Sequence, residues 1–430
     1  MVKIKSWNNY PKVNHKNIQS ISKLEKLNFD SNKNLAHGLG RSYGDVCLNE
    51  NGQIILTRNL NQILHLDTEK GFIKIEGGVS IKEILDKITP NGWFLPVVPG
   101  TKYVTVGGAI ANDIHGKNHH KFGSFGNYVE NLQLLRSNGD IVNCSLNENP
   151  DYFRATIGGM GLTGIIVSAE IQLQKIKSQF LESQTVRYSS LAEYWDINQE
   201  FEEKFDYTVS WIDCQTSNKG GLRGIFHSGN HAKKQLGNEN RKEFSIPLPF
   251  TPPVSVVNNF SKKIINQTYY SLNKKKGEKY QHYRSFFFPL DLIKKWGKAY
   301  GPKGFFQYQF VIPLDTGVEG IKEILKEISI YGRIPALGVL KTFGNIESLG
   351  MMSFPRKGIT MALDFENKGN KTLDFFNRLD NIVLEHGGAL YPGKDSRMSK
   401  KMFNNSFSNI NEFKKYIDPN FSSSFWRRVS

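Results

Sequence analysis

Hydrophobic positions fall into short runs and alternations over the first 175 residues. "QIILT" (53–57), "FIKIE" (72–76), "LQLLR" (132–136) and "GIIVSAEIQL" (164–173) read as strands. "SIKEILDKIT" (80–89) reads instead as a helix. Ile81, Ile84, Leu85 and Ile88 share one face of it, and Ser80 with Glu83 forms a capping box. Further on, strands are expected at 207–214, 223–228, 305–313, 334–344 and 358–365, and helices at 317–332 and 371–388, the latter closed by a glycine pair. Residues 229–242 read as a polar loop, 246–253 as an extended proline-punctuated stretch, and "ALYPGKDSRMS" (389–399) as loop. The β-β-α-β-β-α order of the second half predicts an antiparallel sheet with helices on one face. No GxGxxG follows a first strand, which argues against a Rossmann fold.

Composition narrows the class. A chain of 430 residues with 39% hydrophobic residues is long enough for two packed domains and is not a disordered polymer. Cys47, Cys144 and Cys214 lie far apart, without the pairing of a disulfide scaffold or a thiolate zinc site, and fit buried or half-buried free thiols. The N-terminus lacks the apolar run of a secretory signal, and no stretch approaches the ~20 apolar residues of a spanning helix, so a cytoplasmic protein, peripheral to membranes at most, is expected. The net charge of +16 is partly local, with eleven Lys or Arg against two acids over 262–303. That segment is interleaved with aromatic and aliphatic residues. It reads either as a solvated loop or as a basic, apolar-tipped segment that meets a membrane. No nucleic-acid-binding motif accompanies the charge, and nucleic acid is not an expected partner.

Four glycine-rich segments carry the candidate chemistry: "GLGRSYGD" (38–45), "VPGTKYVTVGGAIANDIHGKN" (98–118), "GSFGNYV" (123–129) and "IGGMGLTGII" (157–166). Glycine lets backbone N–H groups approach an anion, so several such loops together favour a large nucleotide cofactor. "DIHGKNHH" (113–120) first suggests a metal site, but no companion Cys, His or carboxylate cluster supplies the remaining ligands, and no metal is expected. His115 and Lys117 are instead expected to face the cofactor and substrate. Asp113 reads as a structural acceptor, and His119 and His120 as packing or solvent-facing residues.

These motifs, with "YGPKGFFQYQFVIP" (300–313), "LKTFG" (340–344) and "YPGKDSR" (391–397), resemble the vanillyl-alcohol oxidase/p-cresol methylhydroxylase superfamily. Within it the likeness is greatest to the decaprenylphosphoryl-β-D-ribose oxidases, FAD subunits of an epimerase. The resemblance implies a two-domain α+β fold. An FAD-binding domain would span 1–178 with a C-terminal return at 389–430, and an antiparallel-sheet cap over 179–388 would bind substrate. It implies cofactor contacts at Gly38, Gly40, Arg41, Ser42, Tyr43 and Gly44. In the second motif it implies them at Pro99, Gly100, Thr101, Thr105, Gly107, Gly108, Ala109, Asn112, His115 and Gly116. The remaining implied contacts are Ser124, Gly161, Thr163, Gly164, Ile165 and Tyr391. Lys394, Tyr43 and His115 would act in the chemistry, and Lys117, Gln309, Lys341, Thr360 and Ala362 would contact substrate.

Many relatives attach FAD through a histidine where this chain has Arg41, so the flavin is expected to be non-covalent. The mycobacterial branch carries a cysteine at the position of Ala362 and an asparagine at that of Thr360. The implied reaction is oxidation of a secondary hydroxyl on a lipid-phosphate-linked pentose. A partner NAD(P)H-dependent short-chain reductase would then complete an epimerisation. Two other readings stand beside it. One is an aldonolactone or sugar-alcohol oxidase, which the missing "HWGK"-like ending disfavours. The other is a basic binding protein without catalysis, which would purify colourless.

Overall fold

The computed structural model describes residues 4–21, 24, 27–29, 33–214, 222–236, 245–273 and 276–430. Lys274 and Lys275, and 237–242 of the expected polar loop, lie outside them. The fold is mixed α+β, with mainly antiparallel sheets.

Among the described residues, 17–175 build two larger sheets and one short antiparallel pair, Trp93–Phe94 with Gln174–Lys175. Asn17–Ser20, Gln53–Leu56 and Asn34–His37 form a three-stranded parallel sheet with Gln53–Leu56 in the centre. Ile63–Asp67, Phe72–Glu76, Ile165–Gln172, Val129–Leu135 and Ile141–Ser145 form, in that spatial order, a five-stranded antiparallel sheet. The helix Ile81–Ile88 has the expected capping box, and Ile81, Ile84, Leu85 and Ile88 are all buried.

An eight-stranded sheet follows. Its spatial order is Lys276–His282, Phe180–Tyr188, Arg223–His231, Tyr207–Asp213, Gly338–Phe343, Gly358–Glu366, Phe305–Ile312 and Ala389–Leu390. Every neighbouring pair is antiparallel. Side chains of a strand alternate between faces, and here the alternation sorts them by chemistry. Phe306, Tyr308, Phe310 and Ile312 face the core, as do Leu340 and Ile359, Met361, Leu363 and Phe365. They meet the helices Leu191–Lys204, Leu314–Tyr331 and Asn370–Glu385 there. The other face carries Gln307, Gln309, Lys341 and Ala362 and looks into a cavity.

Three expectations about loops are corrected. The strand Arg223–His231 runs three residues into the expected polar loop, because Gly229, Asn230 and His231 keep their pairing with Ser183, Glu182 and Leu181. The 262–303 segment is not a loop: it holds the helix Asn259–Leu272 and the strand Lys276–His282. "ALYPGKDSRMS" opens with the sheet strand Ala389–Leu390 and continues as the 3-10 turn Pro392–Lys394.

After Leu390 the chain returns to the first region. Asn34 N donates to Asn420 O at 2.8 Å, and Ser137 Oγ to Asp418 Oδ1 at 2.6 Å. Arg428 ties the closure, at 2.7 Å from Asp45 and 3.0 Å from Asp395, both buried carboxylates. Burial raises the Asp45 pKa, and Arg428 opposes the shift. Arg428→Ala leaves the buried Asp45 without its guanidinium and leaves Asp395, among the described residues, only its backbone donors Arg397 N and Met398 N, and it is expected to lower stability by about 3 kcal/mol, measured by urea unfolding of the flavin-loaded protein. A change below about 0.5 kcal/mol would show that this closure is not energetically important.

Candidate active site

A cavity of about 1030 Å³ lies between the glycine-rich segments and the polar face of the large sheet. It sits at the upper end of the roughly 300–1,000 Å³ typical of small-molecule sites. The fit of a long cofactor can be judged from its glycines. Gly108 lies in the helix Val106–Ala111, where Ala would be favoured by about 1 kcal/mol. A Cβ there would meet only Thr105 Oγ1, at 3.1 Å, so packing within the chain does not demand glycine. A Cβ on Gly161 would have only Leu35 as neighbour, at 3.8 Å, although its φ of +74° favours glycine independently. Along the 38–42 loop, no acceptor for the backbone N–H groups of Gly40, Arg41 and Ser42 is found among the described residues. The Asn112 side-chain oxygen is buried without a partner. Small residues facing open space, unused donors and an orphaned acceptor suit a nucleotide that brings its own phosphates and ring edges.

Most residues expected at the site line this cavity. Gly38, Gly40, Arg41, Ser42 and Tyr43 come from the first motif, and Pro99, Gly100, Thr101, Thr105, Gly107, Gly108, Asn112, His115, Gly116 and Lys117 from the second. Gly161, Gly164, Gln309, Lys341, Ala362, Tyr391 and Lys394 complete the set. Six do not line it, and each has a structural reason. Gly44 is glycine because a Cβ would fall 1.6 Å from the Asp395 carbonyl oxygen. Ser124 donates to Asp113, which also accepts from Gly126 N and Ser353 and so pins two loops together. Thr163 pairs with Thr156 at 3.0 Å, Ala109 and Ile165 are core residues, and Thr360 accepts from Gln309 at 3.3 Å.

The histidines of "DIHGKNHH" separate. His119 packs on Phe343 with ring centroids 4.4 Å apart, and His120 Nε2 lies 2.9 Å from Phe205 O. His115 alone reaches the cavity. Gln309 Nε2 lies 2.9 Å from its Nε2, and Lys341 Nζ 2.8 Å from its Nδ1. With Nε2 accepting from Gln309, the neutral ring carries its proton on Nδ1, facing Lys341 Nζ, and it can donate that proton there whenever Lys341 is the free amine. That amine in turn donates to Gly116 O at 2.6 Å. The charges agree with this tautomer. Burial, then Lys341, holds the His115 pKa well below its usual value. Burial, then Lys117 and Lys394, brings Lys341 down to about 7.

Lys394 differs from Lys341 in having an acid nearby. Its ammonium sits 3.9 Å from the centre of the Tyr43 ring. Burial lowers its pKa and Asp364 partly restores it, while burial raises that of Asp364. Gln307 Nε2 holds one Asp364 oxygen at 2.6 Å, and the other has no hydrogen-bond partner. Burial raises the Tyr43 phenol well above its usual value, so it stays protonated and can only donate or accept a hydrogen bond. Tyr391 stacks on Phe354 at 4.7 Å and donates to Asn112 O at 2.9 Å, fixing one wall. Lys117, down to about 7 by burial, bonds Phe286 O and lies 4.6 Å from the Phe286 ring centre.

Several wall residues carried no sequence signal. Asp291 accepts from Thr101 Oγ1 at 2.7 Å and Lys102 N at 3.0 Å, tying the 98–105 loop to the far side of the cavity. Arg41 stacks over Trp7 at 4.6 Å. Gln307, two residues before Gln309, could have been found from the strand's alternation, since both fall on one face.

Two outcomes test the cradle. Gly108→Leu is expected to keep its far-UV spectrum and lose at least about tenfold in flavin bound per protein, read from the visible absorbance of the purified variant. With arginine at position 41, acid precipitation of the parent protein is expected to leave all its flavin in the supernatant. Retention in the pellet would reveal a covalent link.

Comparison with known proteins matches these features. The family model of the FAD binding domain matches residues 17–145. Decaprenylphosphoryl-beta-D-ribose oxidase of Mycolicibacterium smegmatis is 36% identical over 410 residues, covering 92% of this chain and 88% of that protein. L-gulonolactone oxidase of Bos taurus is 28% identical over 180 residues, 42% of this chain and 40% of that protein. Delta(24)-sterol reductase of Homo sapiens is 35% identical over 115 residues, 27% and 22% respectively. Extended likeness along nearly the whole chain, together with a cavity lined by glycine-rich segments that suit a nucleotide, places the protein in the decaprenylphosphoryl-β-D-ribose oxidase family of FAD-binding oxidoreductases.

Proposed function

We propose that this protein oxidises a secondary hydroxyl of a pentose carried on a polyprenyl phosphate to the keto sugar, as the first half of an epimerisation. The observation that carries the reaction is the placement of His115 between Gln309 and Lys341 in the cavity wall. The substrate class follows from similarity to the oxidase of Mycolicibacterium smegmatis.

Bound FAD supplies the acceptor for the hydride that leaves the carbinol carbon. The loops at 38–43, 98–108 and 161–164, with Asn112 and Tyr391, would hold it. The chain itself must take the hydroxyl proton. The substrate hydroxyl displaces the Gln309 amide from His115 Nε2 and gives its proton there. The ring passes its Nδ1 proton to Lys341 in the same step, so His115 stays neutral and Lys341 ends as the ammonium. His115 alone is too weak a base. Coupled to Lys341, it acquires the proton affinity of a group near 7. Lys394, whose ammonium Asp364 favours, would supply the positive charge that meets the negative charge gathering during hydride loss. Lys117, which lines the cavity, would bind an anionic group of the substrate. The keto product would be consumed by an NAD(P)H-dependent carbonyl reductase of the short-chain class that delivers hydride to the opposite face of the sugar.

Anaerobic addition of a polyprenylphosphoryl pentose is expected to bleach the visible flavin absorbance. Bleaching by a free aldonolactone but not by the lipid-linked sugar would replace this reading with the lactone oxidase. The pH profile of kcat has two limbs. The relay needs Lys341 unprotonated, so activity rises as pH increases through about 7. Lys394 must remain protonated, so activity falls at a pH below that of an ordinary lysine. Lys341→Met is expected to lower kcat by about 10²–10⁴, remove the acid limb and leave flavin content unchanged. An unshifted acid limb in this variant would remove Lys341 from the mechanism.

A further inference from the structure

The helix Asn259–Leu272 is inside out. Phe260, Ile264 and Leu272 recur at four- and eight-residue spacing, on one stripe of a helix, yet Phe260 is 74% exposed and Leu272 68%. The opposite stripe carries Lys262 and Asn266, which are only 3% and 4% exposed. Specific polar contacts hold that orientation. Lys262 Nζ donates to Ile334 O at 2.6 Å and lies 3.7 Å from Glu366, and Asn266 donates to Asp213 at 3.0 Å. Asn259 donates to Gly332 O at 3.0 Å, and Arg187 and Arg223 stack on Tyr270 at 4.7 and 4.5 Å.

The apolar stripe continues beyond the helix. Ser261 Oγ donates to Val256 O, joining the helix start to an extended segment that exposes Ile246, Phe250, Val254 and Val256. Ile246 pairs with Ile293, which is also exposed, with Leu290 and Leu292 beside it in sequence. An exposed apolar face of this extent marks an interaction surface. Its charge indicates the partner. The segments 246–256, 260–272 and 290–295 carry Lys262, Lys263, Lys294 and Lys295 against Asp291 alone, and Asp291 is engaged by Thr101 while Lys262 is buried beside Glu366. Lys263, Lys294 and Lys295 are exposed among the apolar residues. Basic side chains around a protruding apolar stripe suit the headgroup boundary of an anionic bilayer. Ile265, Tyr269, Ile293, Lys294 and Lys295 also line the cavity, so this face surrounds its mouth.

We propose that the face built from 246–256, 260–272 and 290–295 seats on an anionic phospholipid bilayer, with the cavity opening at the membrane plane. A lipid-linked sugar could then enter headgroup first while its chain stays in the bilayer. That consequence rests on the substrate proposed above, whereas the docking rests on the surface alone.

The flavin-loaded protein is mixed, without substrate, with vesicles of phosphatidylcholine containing phosphatidylglycerol, and sedimented. Binding is expected to these vesicles, more weakly to phosphatidylcholine alone, and to weaken with salt. The double variant F260S/I264S is expected to bind at least about tenfold less with unchanged flavin content. Leu146→Ser, another exposed apolar residue remote in sequence from this face, should change nothing. Absence of sedimentation, or equal sedimentation of parent and F260S/I264S, overturns the proposal. So does a concentration-dependent dimer in light scattering that the same double variant breaks, which would make a second copy the occupant. Because no turnover is measured, failure here leaves the proposed oxidation standing, and failure of that oxidation leaves the docking result standing.

Discussion

Alternation along the strands of the eight-stranded sheet is the constraint on which the site depends. A pleated strand must present successive side chains to opposite faces. Along Phe305–Ile312 the even positions are Phe, Tyr, Phe and Ile, and they pack under the helices. The odd positions include Gln307 and Gln309, which enter the cavity. Gly358–Glu366 repeats the arrangement in the opposite phase, with Met361 and Leu363 inward and Ala362 and Asp364 on the other face. A slip of one residue in either strand would exchange core and cavity face. The apolar packing that holds the sheet on its helices therefore also aims the polar groups at the cofactor space.

Within that space the lysines are distinguished by their neighbours rather than their type. Lys341 and Lys394 are both buried, and burial disfavours the ammonium in each. Asp364 stands near Lys394 and no carboxylate opposes the shift at Lys341. Lys394 therefore keeps more of its proton affinity than Lys341, which is the difference that the proposed proton relay uses. An alcohol oxidation uses two such groups differently, because a positive charge must meet the developing anion while a separate group takes the proton.

The helix Asn259–Leu272 reverses the usual logic of burial. Its polar residues are satisfied inside and its apolar ones are left outside. Exposed hydrophobic side chains are common singly, but a stripe of them contiguous with a cavity mouth is not an accident of packing. The same segment contributes to the cavity wall through Ile265 and Tyr269, so the exposed stripe and the cavity lining share one element.

Much of this was legible in the sequence because it is local. The capping box at Ser80 and Glu83, the three- and four-residue spacing of Ile81, Ile84, Leu85 and Ile88, and the glycine segments depend on neighbours a few positions apart. The site at 98–118 was readable for the same reason, since small residues and His115 lie in one continuous motif. Proximity across long separations was not readable. Nothing in composition places Asp364 near Lys394, Asp291 on Thr101, or Arg428 between Asp45 and Asp395. Nor could the basic content of 262–303 reveal that Lys262 would be buried and Phe260 exposed. Sequence by itself determined the local elements, the flavin-binding motifs and the inventory of lysines. Tertiary structure decided how strongly each lysine holds its proton and which helix face meets solvent, because both depend on burial and on partners brought close only by folding.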